Sequence, residues 1–173
     1  MGEATETCVG CGVVLPRFDG PSHPYMLCSP GCWHGYGELL AVQYTDPERL
    51  RFNQLVVDAF AAQHPGDGSP PAVRSVGIHL MTLCLFLERG ADPAHGHELH
   101  RLILERPAFH RIERPEPAGE PALTFRHVPL DGPADVARER AYEWAASVWE
   151  CWGDRRGVVR AWLAEAGMGE SEG

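Results

Sequence analysis

The chain has 173 residues, 44% of them hydrophobic, and a formal net charge of −9 at pH 7. That length and composition suit one compact core with a small appendage, and the acidic balance argues against nucleic-acid binding, which needs concentrated positive charge. No lysine occurs in the chain, so Schiff-base, pyridoxal-phosphate and P-loop lysine chemistry are all excluded.

Residues 1–7 are acidic and polar and read as a frayed end without a secretory signal. No uninterrupted apolar run approaches the roughly 20 residues that span a bilayer, so a cytoplasmic protein without a membrane segment is expected. The six cysteines fit that compartment, because CxxC spacing without a signal peptide points to metal thiolates rather than disulfides.

Residues 8–32 form the first organised segment. Cys8-Val9-Gly10-Cys11-Gly12 is followed by Cys28-Ser29-Pro30-Gly31-Cys32, with His23 between the two pairs. A CxxCG turn aims two thiolates at one point, and Gly12 lets the backbone bend behind the ion. The expectation is a structural zinc site of zinc-ribbon or treble-clef type, with Cys8, Cys11 and Cys32 as ligands. Cys28 or His23 supplies the fourth, giving a four-cysteine or a three-cysteine, one-histidine set. From Pro30 the text turns helical, which places Cys32 in a first helical turn, where the helix dipole favours a thiolate. Tyr36 and Glu38 project from that helix near the metal loop.

Asp46-Pro47 predicts the start of a second helix carrying Leu50, Leu55, Val56, Ala59 and Phe60 on one face and ending near Gln63-His64-Pro65. Residues 66–71 are a turn by composition. The helix over about 72–89 is apolar nearly all round and is read as central to the core. If these two helices run antiparallel about the turn, residues 58 and 79 lie at one height. Asp58 then faces His79, with Ser75 one turn away on the same face. His64 sits about 9 Å along the axis from Asp58 at 1.5 Å per residue and joins the pair only if the loop folds back. An aspartate orienting a histidine suits general-base catalysis or support of a metal. It is also what a satisfied buried polar contact looks like.

A short helix over 94–105 carries His95, His97 and His100, of which the last two share a face and can hold a divalent ion or remain solvated. Residues 106–133 are proline-rich loop with a strand at 123–128. A last helix from Pro133 sets Ala137, Ala141, Trp144, Val148 and Trp152 along one stripe, with an interruption at Gly157. Trp144, Trp149 and Trp152 read as packing anchors, and Cys84 as an inert core thiol. The chain is thus expected to be one mainly α domain: a zinc-binding loop at 8–32, core helices at 33–105, the proline-rich loop at 106–133 and C-terminal helices at 134–166.

Read together, the CxxCG pair, Gly20-Pro21-Ser22-His23-Pro24-Tyr25, Pro30-Gly31-Cys32-Trp33, Tyr36-Gly37-Glu38, Asp58-Ala59-Phe60-Ala61-Ala62-Gln63-His64-Pro65 and Ser75-Val76-Gly77-Ile78-His79-Leu80 resemble an uncharacterised bacterial domain-of-unknown-function family of small Cys/His proteins. The likeness spans roughly residues 8–165 and implies a family but no activity. It draws attention to His23, Asp58, His64 and His79. The function expected is a zinc-binding protein with a structural metal and a cleft lined by His23, Asp58, His64 and His79, which in the sharper version hold a second metal. As an enzyme it would be a metal- or His/Asp-dependent hydrolase or proton-transfer catalyst acting on a small molecule. The alternative is a non-catalytic interaction module stabilised by zinc and docking on a protein partner.

Overall fold

The computed structural model describes residues 4–105, 109, 111–112 and 123–169. Much of the predicted proline-rich loop therefore lies outside the described residues. Two strands, β1 (Thr5–Thr7) and β2 (Val14–Pro16), open the chain, followed by α1 (Pro30–Thr45), α2 (Pro47–Leu50), α3 (Asn53–Gln63) and α4 (Pro70–Arg89). Then come α5 (Gly96–Leu104), α6 (Ala134–Cys151) and α7 (Arg156–Glu165). The protein is mainly α.

The hairpin is antiparallel, with Thr5 opposite Pro16 and Thr7 opposite Val14. Residues read as frayed from the sequence thus pair as a strand, and the Cys8–Cys11 turn is the hairpin's tip. Ser29 caps α1, its hydroxyl accepting from the Cys32 amide at 3.2 Å. Pro70 and Pro71 open α4, and Gly90, left-handed at φ 66°, ends it.

The predicted second helix is broken into α2 and α3 at Arg51 and Phe52. Phe52 turns into the core at 2% exposure, while Leu50, expected on the buried face, is exposed. The break frees Arg49 to reach across the molecule. Its guanidinium is 2% exposed and donates to the carbonyls of Pro129, Asp131 and Gly132 at 2.7, 3.0 and 2.9 Å. The strand expected at 123–128 is instead a 3-10 turn at Phe125–His127, because Nδ1 of His127 accepts from the Thr124 amide and closes the turn. Gly157 lies inside α7, and the interruption comes earlier, at Gly153 with φ 45°.

By length and mean hydropathy (1.4) α4 is apolar enough to cross a membrane. Here it is the core helix, packed on α3, α5 and α7, with Leu80, Met81 and Leu83 fully buried. Cys84 is enclosed beside them, and burial pushes its thiol up to about 12. Trp144 of α6 and Trp152 just beyond it clamp the C-terminal end of α3. The Trp144 indole donates to the Gln63 side chain at 2.9 Å, and that of Trp152 to the Ala62 carbonyl at 3.3 Å. His64 follows directly.

Replacing Arg49 by alanine leaves three carbonyls without their charged donor. Arg49→Ala is expected to lower the unfolding free energy by about 2–4 kcal/mol, read as a lower urea midpoint. An unchanged midpoint would show that the guanidinium does not hold the α2 turn to the 129–132 segment.

Candidate metal centre and an Asp–His cluster

Four side chains converge where the hairpin tip meets α1 and the end of α3. One ligand atom from each of Cys8, Cys11, Cys32 and His64 lies within 4.8 Å of the other three, and all four residues are buried. The Cys11 and Cys32 sulfurs are 3.9 Å apart, and His64 Nε2 is 3.4 Å from the Cys32 sulfur. These residues form a candidate metal centre.

The sequence builds each part of it. The amide of Gly12, left-handed at φ 74°, closes the knuckle on the Cys8 carbonyl at 2.9 Å. The amides of Gly10 and Ser29 point at the Cys8 sulfur at 3.4 and 3.5 Å. Cys32 stands in the first turn of α1, as its spacing from Pro30 predicts. At the other end, His64 Nδ1 lies 2.7 Å from the Phe60 carbonyl. Only a protonated Nδ1 satisfies that contact, which leaves the Nε2 lone pair facing the sulfurs. Metal-binding histidines are commonly oriented by such a bond.

An aromatic pile fixes the ring. Tyr36 stacks on Phe60 at 3.8 Å between centroids, and Phe60 on His64 at 4.0 Å. A Cβ on Gly10 would fall on the His64 ring and on the Leu27 carbonyl, so glycine is needed there. The loop is further pinned by a β-bridge between Met26 and Gly66, just beyond His64.

Three buried thiols at this spacing cannot all ionise unaided. Hydrogen bonds from Cys11 and Cys32 drive Cys8 far down, while the contacts with Cys11 and Cys8 push Cys32 far up. A divalent cation removes that conflict, so the donor set fits a metal.

Cys28 and His23, the two expected fourth ligands, lie outside this group. Cys28 is buried just before the cap of α1, and burial raises its thiol. His23 has its Nδ1 occupied by the amides of Tyr25 and Met26 at 3.3 and 3.2 Å, and its ring is set edge-on to Trp33. Burial first, and the charge of His79 second, depress its pKa. Tyr36 is buried and stacks on Phe60 but still borders a pocket with Trp33, His34 and the exposed Glu38.

A second cluster joins α3, α4 and α5. Asp58 Oδ1 is 2.6 Å from His79 Nδ1 and 2.9 Å from His100 Nε2. Asp58 is fully buried, whereas the His79 and His100 side chains are 15% and 18% exposed. Burial alone would raise the carboxyl, but the bonds from His100 and His79 outweigh it and hold Asp58 below the usual range. His64, grouped with Asp58 and His79 from the sequence, belongs to the thiol centre instead. His100 is the member that sequence reasoning left elsewhere. Its only signal was the HxHxxH spacing, whose other members, His95 and His97, are exposed.

A family model described as a family of unknown function (DUF5946) matches residues 6–153. The chain belongs to that family. Both clusters fall inside the matched span. No curated protein and no solved structure matches the chain.

Gly10→Ala forces the His64 ring or the Leu27 backbone to move. The expected cost is about 1–3 kcal/mol, read as a lower melting temperature. Melting at the wild-type temperature would mean that the knuckle does not pack on His64 as described.

Proposed function

We propose that the chain is a zinc protein in which Cys8, Cys11, Cys32 and His64 hold a structural ion. In the same reading, Asp58, His79 and His100 form a reaction centre of hydrolytic type for a small molecule. The observation that carries it is the buried set of three sulfurs and one imidazole nitrogen, its ring tied back to a backbone carbonyl. Three thiolates and one histidine are a common tetrahedral zinc donor set. Zinc supplies the charge that lets the thiols ionise together, and four protein ligands leave no position for substrate. The arrangement is treble-clef-like: a hairpin knuckle gives two ligands and a helix start the third, while the fourth comes from the core. A bacterial, cytoplasmic setting suits a thiol site of this kind.

Chemistry is therefore assigned to the second cluster. An imidazole there takes a proton from water as hydroxide adds to an acyl or phosphoryl centre, and then returns it to the leaving group. The buried Asp58 carboxylate orients the ring and offsets its positive charge. The partial exposure of both rings gives them access to solvent and substrate. The rival reading, a non-catalytic docking module, draws on Val9 and Val14. These flank the knuckle at 66% and 56% exposure.

Untagged protein is expected to carry zinc that His64→Ala and Cys11→Ser lose together with stability. On a panel of activated esters and phosphoesters, turnover should fall at least about 100-fold in His79→Gln and Asp58→Asn, with the zinc of the thiol centre kept. No turnover on any member, or equal turnover in the variants, would favour the docking module.

A further inference from the structure

We infer that Asp58, His79 and His100 bind a second divalent ion, from the first transition row. The inference rests on the reading above for the place of the reactive centre; an ion there would supply the activation of water that the reading gives to an imidazole. Three observations lead to it.

The first is a lopsided carboxylate. Asp58 Oδ1 is approached by three nitrogens, Gln54 Nε2 at 2.9 Å, His79 Nδ1 at 2.6 Å and His100 Nε2 at 2.9 Å. Oδ2 of the same group is fully buried and makes no hydrogen bond. A buried carboxylate oxygen without a partner costs several times what a hydrogen bond returns. It is an uncommitted ligand atom on the carboxylate whose other oxygen meets both imidazoles.

The second is a conflict at His100. Its Nε2 is 2.9 Å from the Asp58 carboxylate but also 3.1 Å from the Gln54 amide nitrogen. A protonated Nε2 satisfies the carboxylate and sets two donors against each other. A deprotonated Nε2 accepts from Gln54 and sets a lone pair against the carboxylate. Turning the Gln54 amide over only moves the clash, since its oxygen would then face Asp58 Oδ1. With Asp58 ionised, every arrangement leaves one contact repulsive. A cation bound by the imidazole lone pairs and the carboxylate removes the opposition between His100 Nε2 and Asp58.

The third is convergence with access. Three helices deliver these atoms to one point, each ligand atom within 4.8 Å of the others. The buried carboxylate lies at the base, and the two rings reach the surface. Two imidazoles and one carboxylate select a borderline first-row ion over calcium or magnesium, which prefer all-oxygen sites. Three protein ligands leave positions open for water and substrate, unlike the thiol centre.

The test uses the full chain with its thiol centre loaded with zinc. The protein is equilibrated with manganese(II), cobalt(II), nickel(II) or further zinc(II), gel-filtered, and its ions are counted per chain. One ion beyond the first zinc is expected from at least one of these metals. His100→Gln and Asp58→Asn should weaken the second ion at least about 10-fold while the first zinc and the melting temperature are kept. His97→Gln should bind both. No second ion with any of the four metals, or unchanged binding in His100→Gln, would overturn the inference. Turnover separates it from the reading it rests on. Hydrolysis that depends on His79 but survives removal of all but the first zinc would defeat the second ion and leave the reaction centre standing. A second ion without any turnover would keep the ion and defeat the hydrolytic reading.

Discussion

The structure depends on bringing three thiols and one imidazole nitrogen together inside a protein interior. Each sulfur is cheap to bury as a thiol and expensive as a thiolate, and at this spacing each ionised neighbour makes the next one costlier. A divalent cation reverses the sign of that interaction. Bound there, it would tie together a two-stranded hairpin too small to be stable alone, the start of α1 and the end of α3, which also meet through the Glu6–Gly31 bond and the Tyr36–Phe60–His64 stack. Ion binding and folding of the amino-terminal third would then be one equilibrium.

From that tie the rest of the geometry follows along α3. His64 closes the helix, and Asp58 lies six residues earlier on the same rod. Trp144 and Trp152 hold the helix from behind through Gln63 and Ala62. Fixing the end of α3 therefore also fixes the carboxylate that faces His79 and His100. The loop between the two cysteine pairs closes the arrangement, since His23 packs on Trp33 and is within electrostatic reach of His79. The two clusters share a scaffold but differ in kind. One is buried with four donors; the other has a buried carboxylate beneath two partly exposed rings.

The amino-acid text carried part of this. The CxxCG spacing and the proline before Cys32 define local geometry, so three thiols at one point could be read from neighbours in sequence. The contact of Asp58 with His79 could be read from two helices of known rise about a short turn. His64 beside the sulfurs could not. It comes from 32 positions beyond Cys32, and the nearer Cys28 and His23 were the natural expectations. Nothing in the spacing reveals that His23 spends its Nδ1 on two loop amides. His100 was hidden for a similar reason, because it depends on how α5 crosses α3 and α4. The alternation of Leu123-Thr124-Phe125-Arg126-His127-Val128 suggested a strand, but the local bond between Thr124 and His127 outweighs it and makes a turn. Arg49 carries no signal of its own in the sequence, though its burial holds α2 against the segment before α6.

The proposed zinc site turns on the identity of its donors. X-ray absorption at the zinc edge of untagged protein measures it directly. The account predicts three sulfurs at about 2.3 Å and one nitrogen at about 2.0–2.1 Å, the nitrogen lost in His64→Ala and kept in His23→Ala. A shell of four sulfurs would place Cys28 in the site in place of His64 and contradict the arrangement described.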